Sequence, residues 1–69
     1  MPIYLAELLE NLIVKDIKGT DKVKGHLQNL GIIPGQDIVL VNKIDDNVIL
    51  KVKGVSLAIS RELAKRILV

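Results

Sequence analysis

The side chains of this chain that could do chemistry are few and scattered. A metal site needs imidazole, thiolate or carboxylate donors that converge. The chain has one histidine, His26, and no cysteine, and several of its carboxylates lie far apart at Asp16, Asp37, Asp45 and Asp46. Asp45 and Asp46 are neighbours, but beside Asn47 they read as turn formers whose side chains bond their own backbone. His26, between Gly25 and Leu27, falls off the apolar stripe of its segment and reads as a solvated helix residue. No resident metal or other cofactor is expected. Catalysis is equally unprovided for. There is no thiol nucleophile, no serine near the histidine in sequence, no glycine-rich phosphate loop and no carboxylate pair in an apolar setting. The chain is expected not to be an enzyme.

Nucleic-acid binding has one argument for it and two against. Lys43, Lys51 and Lys53 lie close together in sequence and would suit a small RNA-binding barrel. However, ten basic and eight acidic side chains give a net charge of only +2, with the signs interleaved. RNA-binding modules also stack bases on aromatic rings, and Tyr4 is the one aromatic residue present. The same shortage argues against a groove for proline-rich peptides. Aliphatic side chains are what the chain has in abundance: 49% of its 69 residues are apolar, with no Phe and no Trp. Residues 1–69 therefore read as one small domain with an Ile, Leu and Val core and no disulfide to support it. No apolar run approaches the roughly 18 residues of a membrane span, and no basic stretch precedes an apolar one at the N-terminus. A cytoplasmic location without membrane insertion is expected.

The elements are organised around Leu27-Gln28-Asn29-Leu30-Gly31-Ile32-Ile33-Pro34-Gly35. A helix ending at Leu30 would place Gly31 in the left-handed conformation and let Ile32 fold back onto Leu27. Pro34 and Gly35 suit the centre of a type II turn, with a strand beginning at about Asp37. Before this stretch, Leu5, Leu8 and Leu9 at helical spacing predict a turn or two of helix over Tyr4 to Leu9, plugging a barrel end. Asn11 to Ile17 reads as a strand with a bulge near Asp16. Thr20 or Asp21 caps a helix whose buried stripe is Val23, Leu27 and Leu30. Gly25 inside it signals either a close backbone contact or simple tolerance.

After the turn, Asp37 to Ile44 is apolar on both faces, and Val48 to Lys53 alternates with Val48, Leu50 and Val52 inward. Gly54 sits at a hairpin tip, and Leu57 and Ile59 continue inward. Ser60 caps a short helix over Arg61 to Arg66, and Ile67 and Val69 close the chain. The result is a mainly β fold with short helices: a small SH3-like barrel of about five strands, with a helix inserted after the first. Gly31, Pro34 and Gly35 are structural turn residues on this reading.

These residues resemble the FeoA family, ferrous iron transport protein A. Leu27 to Gly35 is similar to the family's helix-end Leu-Gly-hydrophobic-x-Pro-Gly. Gly54 to Val69 is similar to its closing strand, short helix with Ala64 and terminal Ile-x-Val. Leu5-Ala6-Glu7-Leu8 and Ile17-x-Gly19 also fit, whereas His26 stands where the family often has arginine. The resemblance implies a non-enzymatic accessory of ferrous iron uptake. Its implied partner is the membrane transporter FeoB, contacted at the cytosolic GTP-binding domain and regulated or supported there.

A partner surface needs exposed apolar area, and Val39, Val41, Ile49 and Val55 are the aliphatic side chains left outside by the inward assignment. Strand propensity alone, or a second small core under the N-terminal helix, would also produce such a surplus. Arg61 or Arg66 could act on the transporter's nucleotide as an arginine finger does, although arginines on a short helix more often pair with acids. A similar module closes metal-dependent repressors of the diphtheria toxin repressor type, where it contacts its own chain; here a free-standing domain is expected instead. Oligomeric state is left open, weak self-association included. Generic RNA at low salt is expected to show no tight binding in fluorescence anisotropy; tight binding would reverse the ranking in favour of an RNA-binding barrel.

Overall fold

The computed structural model describes residues 1–69. Six strands form: β1 (Asn11–Ile13), β2 (Asp16–Ile17), β3 (Asp37–Ile44), β4 (Asn47–Val52), β5 (Val55–Ser60) and β6 (Ile67–Leu68). Helix α1 (Asp21–Asn29) follows β2, and α2 (Arg61–Ala64) follows β5. The mainly β fold with short helices is the one expected. The sheet, however, does not close on itself. Strands β1-β3-β4-β5 make one antiparallel sheet, and β2 pairs with β6 in a second.

The reason lies in the segment read as one strand from Asn11 to Ile17. The Val14 N–H donates to the Gln36 carbonyl at 3.0 Å, and the next N–H, of Lys15, donates to the Leu68 carbonyl at 2.7 Å. The chain thus changes sheets between consecutive residues. Asp16 is exposed, and its Oδ1 accepts from the Ile17 N–H at 2.8 Å, so the irregularity foreseen at Asp16 is a complete change of partner strand rather than a bulge.

The N-terminal segment also departs from expectation. Only Ile3–Leu5 is helical, as a 3-10 turn closed by the Ala6 N–H donating to the Ile3 carbonyl. At three residues per turn, positions i and i+3 share a face. Ile3 and Ala6 are accordingly the buried pair, at 0% and 7% exposure, while Leu5, Leu8 and Leu9 stand in solvent. The plug exists but uses different residues.

The central stretch folds as its residues dictate. The Thr20 hydroxyl accepts from the Val23 N–H to start α1. At the other end, Gly31 takes φ +87°, its N–H donating to the Gln28 carbonyl and that of Ile32 to the Leu27 carbonyl, each at 2.9 Å. These are the two bonds of a Schellman stop, and Leu27 and Ile32 are both fully buried. Gly35 follows at φ +91°, with the Gln36 N–H bonded to the Ile33 carbonyl at 3.1 Å, closing the type II turn.

Strand β3 enters at Asp37 and carries a bulge at Val41, where the register to β4 shifts between Leu40 and Asn42. The two-residue turns Asp45-Asp46 and Lys53-Gly54 then make hairpins on either side of β4. The Ser60 hydroxyl caps α2 through the Leu63 N–H at 3.2 Å. Between the sheets lies a core made only of apolar side chains, among them Ile3, Leu27, Ile32, Leu40, Leu50 and Ile67, all fully buried.

Gly25 needs no special conformation, and a Cβ there meets nothing within 4 Å, which settles its place in α1 as tolerance. Gly25→Ala is expected to raise the unfolding free energy by about 0.5–1 kcal/mol. Gly31→Ala, forced into left-handed backbone, is expected to lower it by about 1–2 kcal/mol. Urea midpoints moving the same way for both variants would contradict this account.

Candidate contact surface

The larger sheet turns one face to the core and one to solvent. Residues directly opposite each other in the ladder share a face, so the pairs Asn11↔Val39↔Lys51↔Ser56 and Ile49↔Ala58 define the outer face. Val39, Val41 and Ile49 stand on it half-buried, and none belongs to the core or to the partly buried residues packed against it. Asn11, Asp37, Lys51 and Ser56, all exposed, surround them. Ile13, opposite Asp37 and 57% exposed, extends the apolar part of this face to its edge. A shallow groove of about 390 Å³ runs along this face between Asn11, Asp37, Val39 and Lys51.

Val55 does not share this face. It pairs with the inward Val52 and hangs past the end of the core, 57% exposed. The aliphatic surplus therefore divides into an outer patch and this inner-side residue. The exposed side chains of Leu5, Leu8 and Leu9 form a further apolar feature, which the helical spacing had assigned to the interior. Nothing in the composition marks them as exposed; the signal available was Ile3 with Ala6, whose spacing fits a 3-10 turn.

The basic residues separate. Past the bulge, Lys43 pairs with the inward Val48, and its Nζ sits 4.5 Å from the centre of the Tyr4 ring, with Lys65 Nζ at 5.9 Å. Lys51 lies on the outer face and Lys53 in the far turn, so the three lysines form no common stripe. Arg61 is tied to the Asp45-Asp46 turn: its N–H donates to the Asp46 carbonyl at 2.8 Å and its Nη2 lies 3.5 Å from Asp46 Oδ1. Hydrogen bonding to the Tyr4 hydroxyl, and then the charge of Asp46, raises its pKa further above the ordinary arginine value. Arg66 lies past the other end of α2, its carbonyl accepting from the Lys18 N–H at 2.8 Å. Gly31, Pro34 and Gly35 sit in the helix stop and turn. His26 is exposed, and no three His, Cys, Asp or Glu side chains come together where they could hold a metal ion.

Comparison with known proteins adds the family. The structure is similar to a crystal structure of the iron uptake regulatory protein FeoA, with TM-score 0.88 and 28% identity over 97% of this chain and 91% of that one. It is similar to the NMR structure of a FeoA-like protein from Clostridium acetobutylicum, with TM-score 0.84 and 26% identity over 97% and 80%. FeoA from Stenotrophomonas maltophilia, solved with zinc and described as a prokaryotic SH3 domain protein, shares the fold at TM-score 0.82 and 20% identity over 99% and 87%. A search of the curated proteins found no match. The FeoA domain model matches residues 1–69, the whole of the sequence whose motifs carry the resemblance. The chain therefore belongs to the FeoA family, which is associated with ferrous iron transport.

Proposed function

We propose that residues 1–69 act as one cytosolic, non-enzymatic domain that regulates or supports a FeoB-type ferrous iron transporter by touching its cytosolic GTP-binding domain. The observation that carries this reading is the outer face of the larger sheet. There Val39, Val41 and Ile49 stand half-buried outside the hydrophobic core, and no cluster of ligands offers a chemical role instead. Family membership supplies the transport setting. No helix is long and apolar enough to cross a membrane, which fits a domain that meets the transporter rather than spans with it. Val55 drops out of the contact face because it points to the other side of the sheet.

The alternatives gain less. An RNA-binding barrel needs a continuous basic strip, and the lysines that would form it are divided between two faces and a turn. A nucleotide-directed role for Arg61 requires its guanidinium to leave Asp46, 3.5 Å away across a solvent-exposed contact.

Titration of isotopically labelled protein with the transporter's cytosolic GTP-binding domain is expected to shift the amide signals of Val39, Val41 and Ile49. Ile49→Lys is expected to weaken the complex by about tenfold or more. Shifts confined to α1 or to the Leu5–Leu9 segment would place the contact elsewhere. GTP turnover by that domain is expected to be equal with wild type and with Arg61→Ala; a loss of stimulation would restore the arginine to the mechanism.

A further inference from the structure

The larger sheet has two edges, and they differ. β1 is three residues long, and just before it the Leu9 N–H already bonds the Leu40 carbonyl at 2.8 Å. β5 is six residues, Val-Ser-Leu-Ala-Ile-Ser, with no charge, no proline and no bulge. Exposed edges are normally blunted by such devices, and this one has none.

Its backbone groups can be assigned. The two-residue turn at Lys53-Gly54 makes Val52 and Val55 a hydrogen-bonded pair. Alternation along the antiparallel ladder then turns the N–H and C=O of Ser56 and Ala58 away from β4. Neither residue enters any turn, loop or cap hydrogen bond, and both are exposed.

We propose that this edge pairs with the same edge of a second copy of the chain, antiparallel about a two-fold axis at Leu57. In that register Ser56 of each copy lies opposite Ala58 of the other. Every backbone donor and acceptor left open on these two residues then finds its complement. On the inner side, half-buried Leu57 meets its own counterpart, and Val55, exposed at 57%, comes opposite Ile59. On the outer side only small uncharged side chains meet.

The occupant is a second copy because the two-fold at Leu57 sets Leu57 against Leu57 and Val55 against Ile59 on the inner side, while no charged side chain meets another between residues 55 and 59. Lys53 and Arg61 fall beyond the strand ends, opposite each other in this register, where both stand in solvent and Asp46 lies 3.5 Å from Arg61. The pairing leaves Val39, Val41 and Ile49 uncovered in each copy and merges the two outer faces into one continuous surface.

Sedimentation equilibrium tests this without the transporter, so its failure leaves the proposed function untouched. Wild type is expected to show a monomer–dimer equilibrium with rising concentration. Ala58→Lys, which changes only an exposed side chain, is expected to weaken the dimer roughly fivefold by placing a charge on the edge. Adding Ser56→Glu to that variant is expected to restore it, because in this register the glutamate of one copy opposes the lysine of the other. Circular dichroism of each variant confirms the monomer fold. A wild type that stays monomeric at millimolar concentration overturns the proposal, as does a dimer indifferent to Ala58→Lys. A double variant no tighter than the single one overturns the register.

Discussion

Two sheets share one aliphatic core because the chain passes from one to the other at Val14 and Lys15. Val14 is almost fully buried at 1% exposure, its N–H is bonded to the Gln36 carbonyl, and its own carbonyl accepts from the Gly35 N–H at 2.8 Å. The next N–H belongs to the other sheet. The Pro34-Gly35 turn is thus more than a link from α1 to β3, since its glycine amide holds the residue at which the sheets are joined. Backbone polar groups this close to the core need partners, and here the turn and β6 supply them on consecutive residues. β6 is fixed in turn by β2 on one side and by Pro2 on the other, and the Val69 N–H donates to the Met1 carbonyl at 2.8 Å.

The parts of this arrangement legible in the sequence are those governed by short-range rules. The Schellman stop at Gly31, the type II turn at Pro34-Gly35, the caps at Thr20 and Ser60 and the inward set Val48, Leu50 and Val52 each follow from residue type and spacing within a few positions. The change of sheet was not legible, because it depends on carbonyls at Gln36 and Leu68, far along the chain from Val14. Closure was inferred from strand count, yet strand count fixes no pairing. The leucines of the N-terminal segment misled for a related reason: spacings of three and four suit an α-helix, while the turn that forms buries Ile3 and Ala6 at a spacing of three alone.

The candidate surface was legible in outline. Alternation along β3 and β4 placed Val39, Val41 and Ile49 outside, and the ladder agrees. Val55 was misassigned although Leu57 and Ile59 were read as inward: alternate residues of β5 share a face, and Val55 pairs with the inward Val52. The bulge at Val41 was invisible too, and it matters, since it brings Lys43 round to the Tyr4 side and so breaks up the basic strip that the sequence appeared to offer.

Magnitudes decide which of the exposed features could drive association. The Arg61–Asp46 pair joins side chains 44% and 86% exposed, and ion pairs so open to solvent contribute little to stability. Their role is to hold the start of α2 against the hairpin turn, where the backbone bond already fixes it. Covering the smaller part of Val39, Val41 and Ile49 that water still reaches yields at most roughly 1 kcal/mol for each side chain. Their sum exceeds what this ion pair contributes, before the cost of bringing two molecules together. By the same measure Leu5, Leu8 and Leu9, each more than half exposed, offer further apolar area, so aliphatic surface rather than charge is what this domain presents to another molecule.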